Sequence, residues 1–172
     1  MKVLVATEKP FAANAVKAIK EEIEKVGHEL VLLEKYTEKA QLLDVVKDVE
    51  AMIVRSDKIT PDVMDAAPKL KIIVRAGAGY DSIDTAYAKE KGIIVENTPG
   101  QNANAVAELV LGLLIYAVRA FFNGKSGSEL IGKKLGLLAF GNVGRNVARI
   151  AKGFGMEIYA YDAFCPSEVI EA

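Results

Sequence analysis

A glycine-containing turn has the residue types and spacing to hold a phosphorylated ligand. It runs from Ala139 to Gly144 and reads A-x-G-x-x-G, with glycines at Gly141 and Gly144. In the dinucleotide fingerprint G-x-G-x-x-G, the second glycine lets the backbone approach a pyrophosphate and the third lets the helix pack close to the strand. An apolar run precedes this turn and apolar residues at helical spacing follow it. This strand–turn–helix context is the one that the motif requires.

An acidic residue completes the nucleotide-binding pattern. Asp162 follows a strand candidate at 157–161 and lies eighteen residues after Gly144. A carboxylate about 20 residues beyond the turn typically accepts the 2′-hydroxyl of the NAD ribose. No Arg follows Asp162 to favour a 2′-phosphate, so NAD is the expected cofactor. The alternative is an ordinary βαβ unit whose glycines serve only packing. The residues predicted to contact the cofactor are Gly141, Asn142, Val143, Gly144 and Asp162.

Three upstream loops carry groups suited to a small anion. The first holds Arg55 and Ser56, the second holds the glycine loop 77–79, and the third holds Asn102. Arg offers a fork of donors to a carboxylate or phosphate, and a glycine loop lets backbone N–H groups face an oxyanion. Each feature also has a structural explanation, namely an ion pair of Arg55 with Asp57 or another acid, a simple chain turn and a helix cap. Their expected position at one sheet edge favours a substrate site.

The elements that position these loops form a regular alternation. Short apolar or β-branched runs alternate with helical patterns throughout residues 1–97, which predicts an α/β fold with a doubly wound parallel sheet. Ligands of such sheets bind at the carboxyl ends of the strands, where the three loops lie. The predicted strands are Val3 to Ala6, Glu29 to Leu33, Ala51 to Val54, Lys71 to Val74 and Ile93 to Val95.

A long helix is predicted over residues 102–122. It is apolar on nearly every side, which is typical of a helix that is buried on most sides, between two domains or two subunits. The Gly/Ser-rich stretch 123–129 that follows predicts a domain boundary.

Composition excludes several classes of protein. The chain has 172 residues, of which 51% are hydrophobic, and a formal net charge of −1, so neither nucleic acid nor a membrane surface is an expected partner. Cys165 is the only cysteine and His28 the only histidine, so no metal site is expected. With no signal peptide and no apolar run of about 20 residues, we expect a cytoplasmic protein.

Taken together, the motifs resemble those of the D-2-hydroxyacid dehydrogenases, and within them most closely the phosphoglycerate dehydrogenases. The similarity extends over the whole chain. It is carried by Val54-Arg55-Ser56, by the run from Arg75 to Asp84, by Asn97-Thr98-Pro99 with Asn102, by Val106-Ala107-Glu108, by the run from Gly132 to Gly136, and by Tyr161-Asp162.

The resemblance implies a flavodoxin-like substrate domain (1–101), an interdomain helix and short arm (102–127), and the first βαβ unit of a Rossmann-type NAD domain (128–172). It implies hydride transfer between NAD and C2 of a D-2-hydroxy acid, with 3-phosphoglycerate and serine biosynthesis as the closest parallel. By the same resemblance, Arg55, Ser56 and Asn102 contact the substrate, the backbone of Ala78 and Gly79 holds its carboxylate, and the protein is a homodimer through the 102–122 helix and the NAD domain.

Three features depart from the family pattern. Lys58 stands where a Thr is common, and a second cation there suits a phosphate. Ala139 replaces the first fingerprint glycine. The catalytic Arg, Glu and His of the family belong downstream of the second Rossmann strand, so we expect no catalytic residue in this chain. We also expect the chain by itself to be inactive and to bind NAD weakly, as the N-terminal portion of a longer enzyme.

Three alternatives stay open at this point. One is a non-catalytic NAD-binding module of the same fold that recruits a partner. Another is a dehydrogenase for glycerate, glyoxylate or lactate-type acids. The third is a self-standing domain with half a Rossmann unit, which predicts exposed apolar surface near Leu137 and Ile158.

Overall fold

A computed structural model describes residues 1–171, and these form two packed units. The first unit is Met1–Pro99 and the second begins at Gly100. Within residues 1–171, no helix combines the length and the apolar character needed to cross a membrane.

The first unit contains a five-stranded parallel sheet with the strand order β2-β1-β3-β4-β5. This is the order of flavodoxin-like doubly wound folds, so the predicted fold class is confirmed. Each predicted strand agrees with the structure to within two residues at either end. The strands are β1 (Lys2–Thr7), β2 (Glu29–Glu34), β3 (Ala51–Val54), β4 (Ile72–Arg75) and β5 (Ile94–Asn97).

Four helices connect these strands, namely α1 (Ala13–Lys25), α2 (Lys39–Val45), α3 (Pro61–Asp65) and α4 (Thr85–Glu90). The main core lies on the side of the sheet where Met52, Val54 and Ile73 meet Leu42 and Val63, all of which are fully buried. Burying one such side chain contributes roughly 1.5–3 kcal/mol. This core holds the strands in register, so that β1, β3, β4 and β5 end at a common edge and present their loops there.

The second unit contains α5 (Ala103–Val118), β6 (Lys134–Leu138), α6 (Asn142–Gly153), β7 (Glu157–Tyr161) and α7 (Ser167–Glu171). The strands β6 and β7 pair in parallel through the α6 crossover, so the predicted βαβ unit is present. Its core joins Ala107 and Leu111 of α5 to Val147 and Ala151 of α6. Because α5 packs on α6, the 123–129 stretch lies inside this unit and not between the two units.

Exposed apolar side chains lie next to Leu137 and Ile158, as predicted from the sequence. Leu137 and Ile158 are half-buried, since they pack against the core formed by α5 and α6. The exposed positions alternate with them along the strands, so Leu138 is 87% exposed and Tyr161 is 65% exposed. Within the second unit, only one side of α5 packs on α6, and burial of this helix between two domains or two subunits stays a prediction. Its fully buried residues are Ala103, Ala107 and Leu111, and Leu109 and Leu113 are exposed.

Candidate functional site

The glycine turn places the amino end of α6 directly after β6. The helix starts at Asn142, and within residues 1–171 the N–H groups of Asn142, Val143 and Gly144 have no intramolecular hydrogen-bond acceptor. The first N–H groups of a helix have no acceptor within the helix, and the helix dipole makes this end favourable for negative charge. The turn therefore presents three convergent donors to a phosphate group.

The two glycines of the turn have different structural roles. A Cβ atom on Gly144 would lie 2.5 Å from the carbonyl oxygen of Ala139, so a side chain there would push α6 away from β6. A Cβ atom on Gly141 would meet nothing within 4 Å, so its Cα faces open space beside the free N–H groups. Gly144 thus serves packing, whereas Gly141 leaves room for a ligand. These are the roles of the third and second glycines in the dinucleotide fingerprint.

Ala139 adopts a backbone conformation that favours glycine. Its φ angle is +94°, and its N–H donates to the carbonyl of Tyr161 at 2.7 Å. An L-residue in this region carries a cost of about 1–3 kcal/mol, because its Cβ approaches the backbone. The turn therefore keeps the glycine geometry of the fingerprint at a position where the sequence has alanine.

Asp162 connects the end of β7 to the glycine turn. Its Oδ2 accepts a hydrogen bond from the N–H of Phe140 at 2.7 Å, and its Oδ1 accepts from Phe164 at 2.7 Å and Cys165 at 3.0 Å. These N–H groups, that of Phe140 foremost, lower the pKa of the Asp162 carboxyl below its ordinary value. Because Oδ2 has one protein donor, it retains a lone pair for a hydroxyl group. A cavity of about 190 Å³ adjoins this carboxylate, between Tyr161 and Ile170.

Arg145 is a further residue of this turn that the sequence interpretation did not single out. Its Nε donates to the carbonyl of Phe140 at 3.0 Å, and the guanidinium lies over the Phe140 ring. Both polar groups of the Phe140 main chain are therefore held by charged side chains, the N–H by Asp162 and the carbonyl by Arg145. The available signal was its position directly after Gly144 in the fingerprint.

In the first unit, the loop after β4 presents a pair of free backbone donors. Within residues 1–171, neither the N–H of Ala78 nor that of Gly79 has an intramolecular acceptor. The carbonyl of Ala78 accepts a hydrogen bond from Nδ2 of Asn97 at 2.6 Å. Asn97 lies at the end of β5, so it fixes the loop from the neighbouring strand. The two N–H groups match the donor arrangement expected for a carboxylate. The sequence interpretation did not assign this role to Asn97.

Arg55 follows β3 at the same edge, with an exposed side chain. Its Nη1 lies 3.3 Å from the carbonyl oxygen of Pro10 and 3.5 Å from that of Lys9, and its guanidinium lies 6.0 Å from the centre of the Phe11 ring. No ion pair of Arg55 with an acid occurs in the described part of the chain, so its charge is not neutralised. The ion pair with Asp57 that the sequence left open is absent among residues 1–171.

Arg75 lies at the end of β4 and was also not singled out from the sequence. Its guanidinium occupies the space where a side chain on Gly77 would be, since a Cβ there would lie 1.2 Å from Nη1. Its Nε is buried and has no hydrogen-bond acceptor within residues 1–171. The guanidinium of Arg75 therefore fills the space beside Gly77, whose φ of +157° is one that L-residues rarely adopt.

The remaining predicted substrate residues lie at two places. Ser56 is exposed and, with Lys58 and Lys39, lines a cavity of about 380 Å³ at the same sheet edge. Asn102 belongs to the second unit and occupies the N-cap position of α5, where its side chain makes no capping hydrogen bond. Its amide is thus not used as a helix cap. The first unit therefore brings Arg55, Ser56, Ala78 and Gly79 to one edge.

His28 lies away from these loops, at the start of β2, where its Nδ1 is 3.3 Å from the amino terminus. Among residues 1–171 there is no group of three side chains able to ligate a metal ion.

Comparison with known proteins shows to which family the chain belongs. Residues 3–164 match the family described as D-isomer specific 2-hydroxyacid dehydrogenase, catalytic domain. The chain belongs to this family. The resemblance seen in the sequence is therefore confirmed, and so is the α/β fold with a parallel sheet.

Relatives within the family carry different names. The chain is 45% identical to hydroxypyruvate reductase of Thermotoga maritima over 152 residues, which are 80% of this chain and 50% of that protein. It is 43% identical to D-3-phosphoglycerate dehydrogenase of Methanocaldococcus jannaschii over 148 residues, which are 78% of this chain and 28% of that protein. The chain thus spans half the length, or less, of these relatives.

A solved structure is similar over nearly the whole chain. It is the crystal structure of cofactor (NAD+) bound 3-phosphoglycerate dehydrogenase from Entamoeba histolytica, with a TM-score of 0.93 and 51% identity. The similarity covers 98% of this chain and 56% of that one.

Proposed function

We propose that the protein is an NAD-dependent oxidoreductase of D-2-hydroxy acids, and that it interconverts 3-phosphoglycerate and 3-phosphohydroxypyruvate, the chemistry of serine biosynthesis. The observation that carries this proposal is the glycine turn, where three free N–H groups at the start of α6 adjoin open space at Gly141 and the Asp162 carboxylate lies beside them. The likeness to an NAD+-bound phosphoglycerate dehydrogenase supports NAD as the cofactor, as the sequence predicts.

In this proposal the second unit holds the cofactor. The N–H groups of Asn142, Val143 and Gly144 bind the pyrophosphate, and Gly141 leaves room for it. Oδ2 of Asp162 accepts a hydrogen bond from the 2′-hydroxyl of the adenine ribose. The negative charge of this carboxylate disfavours a 2′-phosphate, which selects NAD over NADP. When bound, NAD accepts the hydride from C2 of the hydroxy acid.

The loops at the carboxyl ends of the first unit's strands orient the substrate. The free N–H groups of Ala78 and Gly79 bind one carboxylate of the acid, and Asn97 keeps them directed outward through the Ala78 carbonyl. Arg55 and Ser56 bind a second oxygen-containing group of the substrate. Asn102, whose side chain is not used as a helix cap, is also proposed to contact the substrate. No proton-transferring residue is assigned to this chain. The predicted division into a substrate domain, a linking helix and an NAD domain is retained as part of the proposal.

Selection of a phosphorylated acid rests on the cations at the same edge. Lys58 and Ser56 line one cavity, and Arg55 is adjacent in the chain with an unneutralised charge. A phosphate dianion requires more positive charge than a single carboxylate, and two cations supply it. The competing candidate is reduction of an unphosphorylated acid such as hydroxypyruvate. The 45% identity to a hydroxypyruvate reductase favours that alternative.

The proposal includes a homodimer that covers α5. Leu109 and Leu113 are 62% and 56% exposed, and the adjoining turn exposes Phe121 and Phe122, which pack against Tyr116 at ring distances of 5.2 and 5.3 Å. A contiguous apolar surface of this kind is typical of an interface. We expect sedimentation of the complete protein to give a dimer, and the double substitution of Leu109 and Leu113 by Glu to give a monomer.

The substrate assignment is tested with the complete protein and NADH. Initial rates are measured with phosphohydroxypyruvate, hydroxypyruvate, glyoxylate and pyruvate at equal concentrations. We expect the highest kcat/KM with phosphohydroxypyruvate, and a selective loss of this preference in Lys58→Thr. Comparable kcat/KM values on all four acids would defeat the phosphoglycerate assignment, and a preference for hydroxypyruvate would favour the alternative.

A further inference from the structure

Asp57 is a buried acid that the proposed binding of substrate does not use. Its residue is 3% exposed, although it belongs to the loop that follows β3, between the exposed Ser56 and Lys58. Burying a carboxylate is costly unless donors replace its hydration. Its hydrogen bonds therefore indicate what the burial achieves.

The carboxylate of Asp57 connects the loops that follow three different strands. Oδ1 accepts from the N–H of Glu8, after β1, at 2.8 Å, and from the hydroxyl of Tyr36, after β2, at 2.8 Å. Oδ2 accepts from the N–H of Arg55, after β3, at 3.2 Å. Burial and this hydrogen bond raise the pKa of the Tyr36 hydroxyl far above its ordinary value, so it stays a donor. One side chain thus fixes three adjacent loops at the carboxyl edge of the sheet.

Two of these contacts act on Arg55. Its backbone is held directly through its N–H. Its guanidinium rests on the carbonyls of Lys9 and Pro10, in the loop whose Glu8 N–H is held by the same carboxylate. Asp57 therefore fixes the backbone of Arg55 and also the loop carbonyls against which the guanidinium lies.

Stability alone gives a poor account of a buried acid at this position. Within residues 1–171, Asp57 takes part in no ion pair, and its carboxyl group accepts hydrogen bonds only from two N–H groups and one hydroxyl. Burying a carboxyl group without a cation partner is costly, so a well-packed apolar side chain of similar size is often at least as favourable for stability. The hydrogen bonds to three loops, however, hold these loops in one arrangement at the carboxyl edge of the sheet.

We infer that Asp57 is a positioning residue that holds the Arg55 guanidinium in place to bind an oxyanion of the acid substrate. This inference rests on the proposed function, because it requires Arg55 to contact the substrate. Asp57 does not touch the substrate, and its effect on binding passes through Arg55.

The test is a double-mutant cycle in the complete protein, with NADH and phosphohydroxypyruvate. Arg55→Ala is expected to raise KM roughly 10- to 100-fold, the effect of losing a hydrogen bond to a charged group. Asp57→Asn, which keeps size and shape, is expected to raise KM about 5- to 10-fold with kcat within about twofold. The double variant is expected to have the KM of Arg55→Ala, because Asp57 has nothing left to position. Gln41→Ala, which removes the α2 capping box, serves as the control that lowers the melting temperature and leaves KM unchanged.

The possible results separate the two proposals. If Arg55→Ala leaves KM unchanged, the substrate role of Arg55 fails, and the role of Asp57 fails with it. A second case is that Arg55→Ala raises KM. If Asp57→Asn then has no effect on KM, or if its effect multiplies with that of Arg55→Ala in the double variant, only the positioning role of Asp57 is overturned. Asp57→Ser is made in parallel with Asp57→Asn. Loss of folding in both variants would assign Asp57 to stability and would also overturn the inference.

Discussion

The carboxylate of Asp162 binds the N–H of Phe140 at 2.7 Å, so the acid at the end of β7 closes the glycine turn that follows β6. The same carboxylate is the group assigned to the adenine ribose. The position of this carboxylate is therefore fixed by the turn. A change in the turn is expected to move the carboxylate, and loss of the carboxylate is expected to loosen the turn.

The link between Asp162 and the turn predicts a specific pH dependence of stability. The pKa of Asp162 is lowered in the folded chain, chiefly by the Phe140 N–H, so its stabilisation is present above the ordinary value of 3.8 and is lost as the pH falls through the lower folded pKa. We expect Asp162→Asn to melt below the wild type at pH 7. Calorimetric scans should show the difference shrinking below pH 3.8. A difference that is constant between pH 7 and pH 3 would contradict this account.

Ala139→Gly should stabilise the protein. The φ angle of +94° favours glycine, so the substitution relieves about 1–3 kcal/mol of strain, partly offset by about 0.4–1 kcal/mol of added freedom in the unfolded chain. Urea unfolding measures the change. The matched control is Ala18→Gly on the exposed side of α1, which we expect to destabilise by about 1 kcal/mol. Equal losses in both variants would show that Ala139 is not strained.

Gly144→Ala should destabilise the second unit, because the added Cβ would lie 2.5 Å from the Ala139 carbonyl oxygen. Overpacking of this kind typically costs about 1–3 kcal/mol. Gly153→Ala, at the other end of α6, is the control. Its Cβ meets nothing within 4 Å, so we expect no loss and up to about 1 kcal/mol of stabilisation. Chemical denaturation of the two variants should therefore give shifts of opposite sign, and shifts of the same sign would contradict the close approach.

Asn97→Ala should weaken substrate binding more than folding. It removes the hydrogen bond to the Ala78 carbonyl, with a cost of about 0.5–1.5 kcal/mol, and frees the loop that carries the two free N–H groups. Steady-state kinetics of the complete protein should show a higher KM for the 2-oxo acid with kcat nearly unchanged. Asn123→Ala, which removes a side-chain hydrogen bond in an exposed turn, is the control. An unchanged KM in Asn97→Ala would remove the loop from the binding site.

The order of strands and helices could be predicted from the sequence because each strand is a short apolar run between clear turn residues. The cofactor turn could be located for the same reason, with Gly141, Gly144 and Asp162 at motif spacing. The roles of Asn97 and Asp57 could not, because each depends on contacts between residues that are distant in the chain. The role of Arg145 could not either, because its contact with the Phe140 carbonyl depends on how the glycine turn folds. Asn97, at the end of β5, contacts Ala78 in the loop after the neighbouring strand β4, and Asp57 joins the loops that follow three strands.

Which apolar surfaces are covered could not be predicted from the sequence, for a related reason. Periodicity shows that α5 is apolar on most sides but does not show which sides find a partner, and only the side with Ala107 and Leu111 packs on α6. In β6 and β7, alternation predicts one buried and one exposed face without stating which is which. The packing of α5 and α6 decides this, so Leu137 and Ile158 lie inward while Leu138 and Tyr161 are exposed.

The central claim is most directly tested by following NADH consumption by the complete protein with phosphohydroxypyruvate, in the wild type and in Gly141→Thr. Threonine is accepted at an N-cap, and the position has open space, so folding should be retained while the space assigned to the pyrophosphate is filled. We expect NADH oxidation that yields the D-hydroxy acid in the wild type. In Gly141→Thr we expect a KM for NADH raised about tenfold or more, at an unchanged melting temperature. No NADH oxidation by the wild type with any 2-oxo acid, or an unchanged KM for NADH in Gly141→Thr, would contradict the central claim.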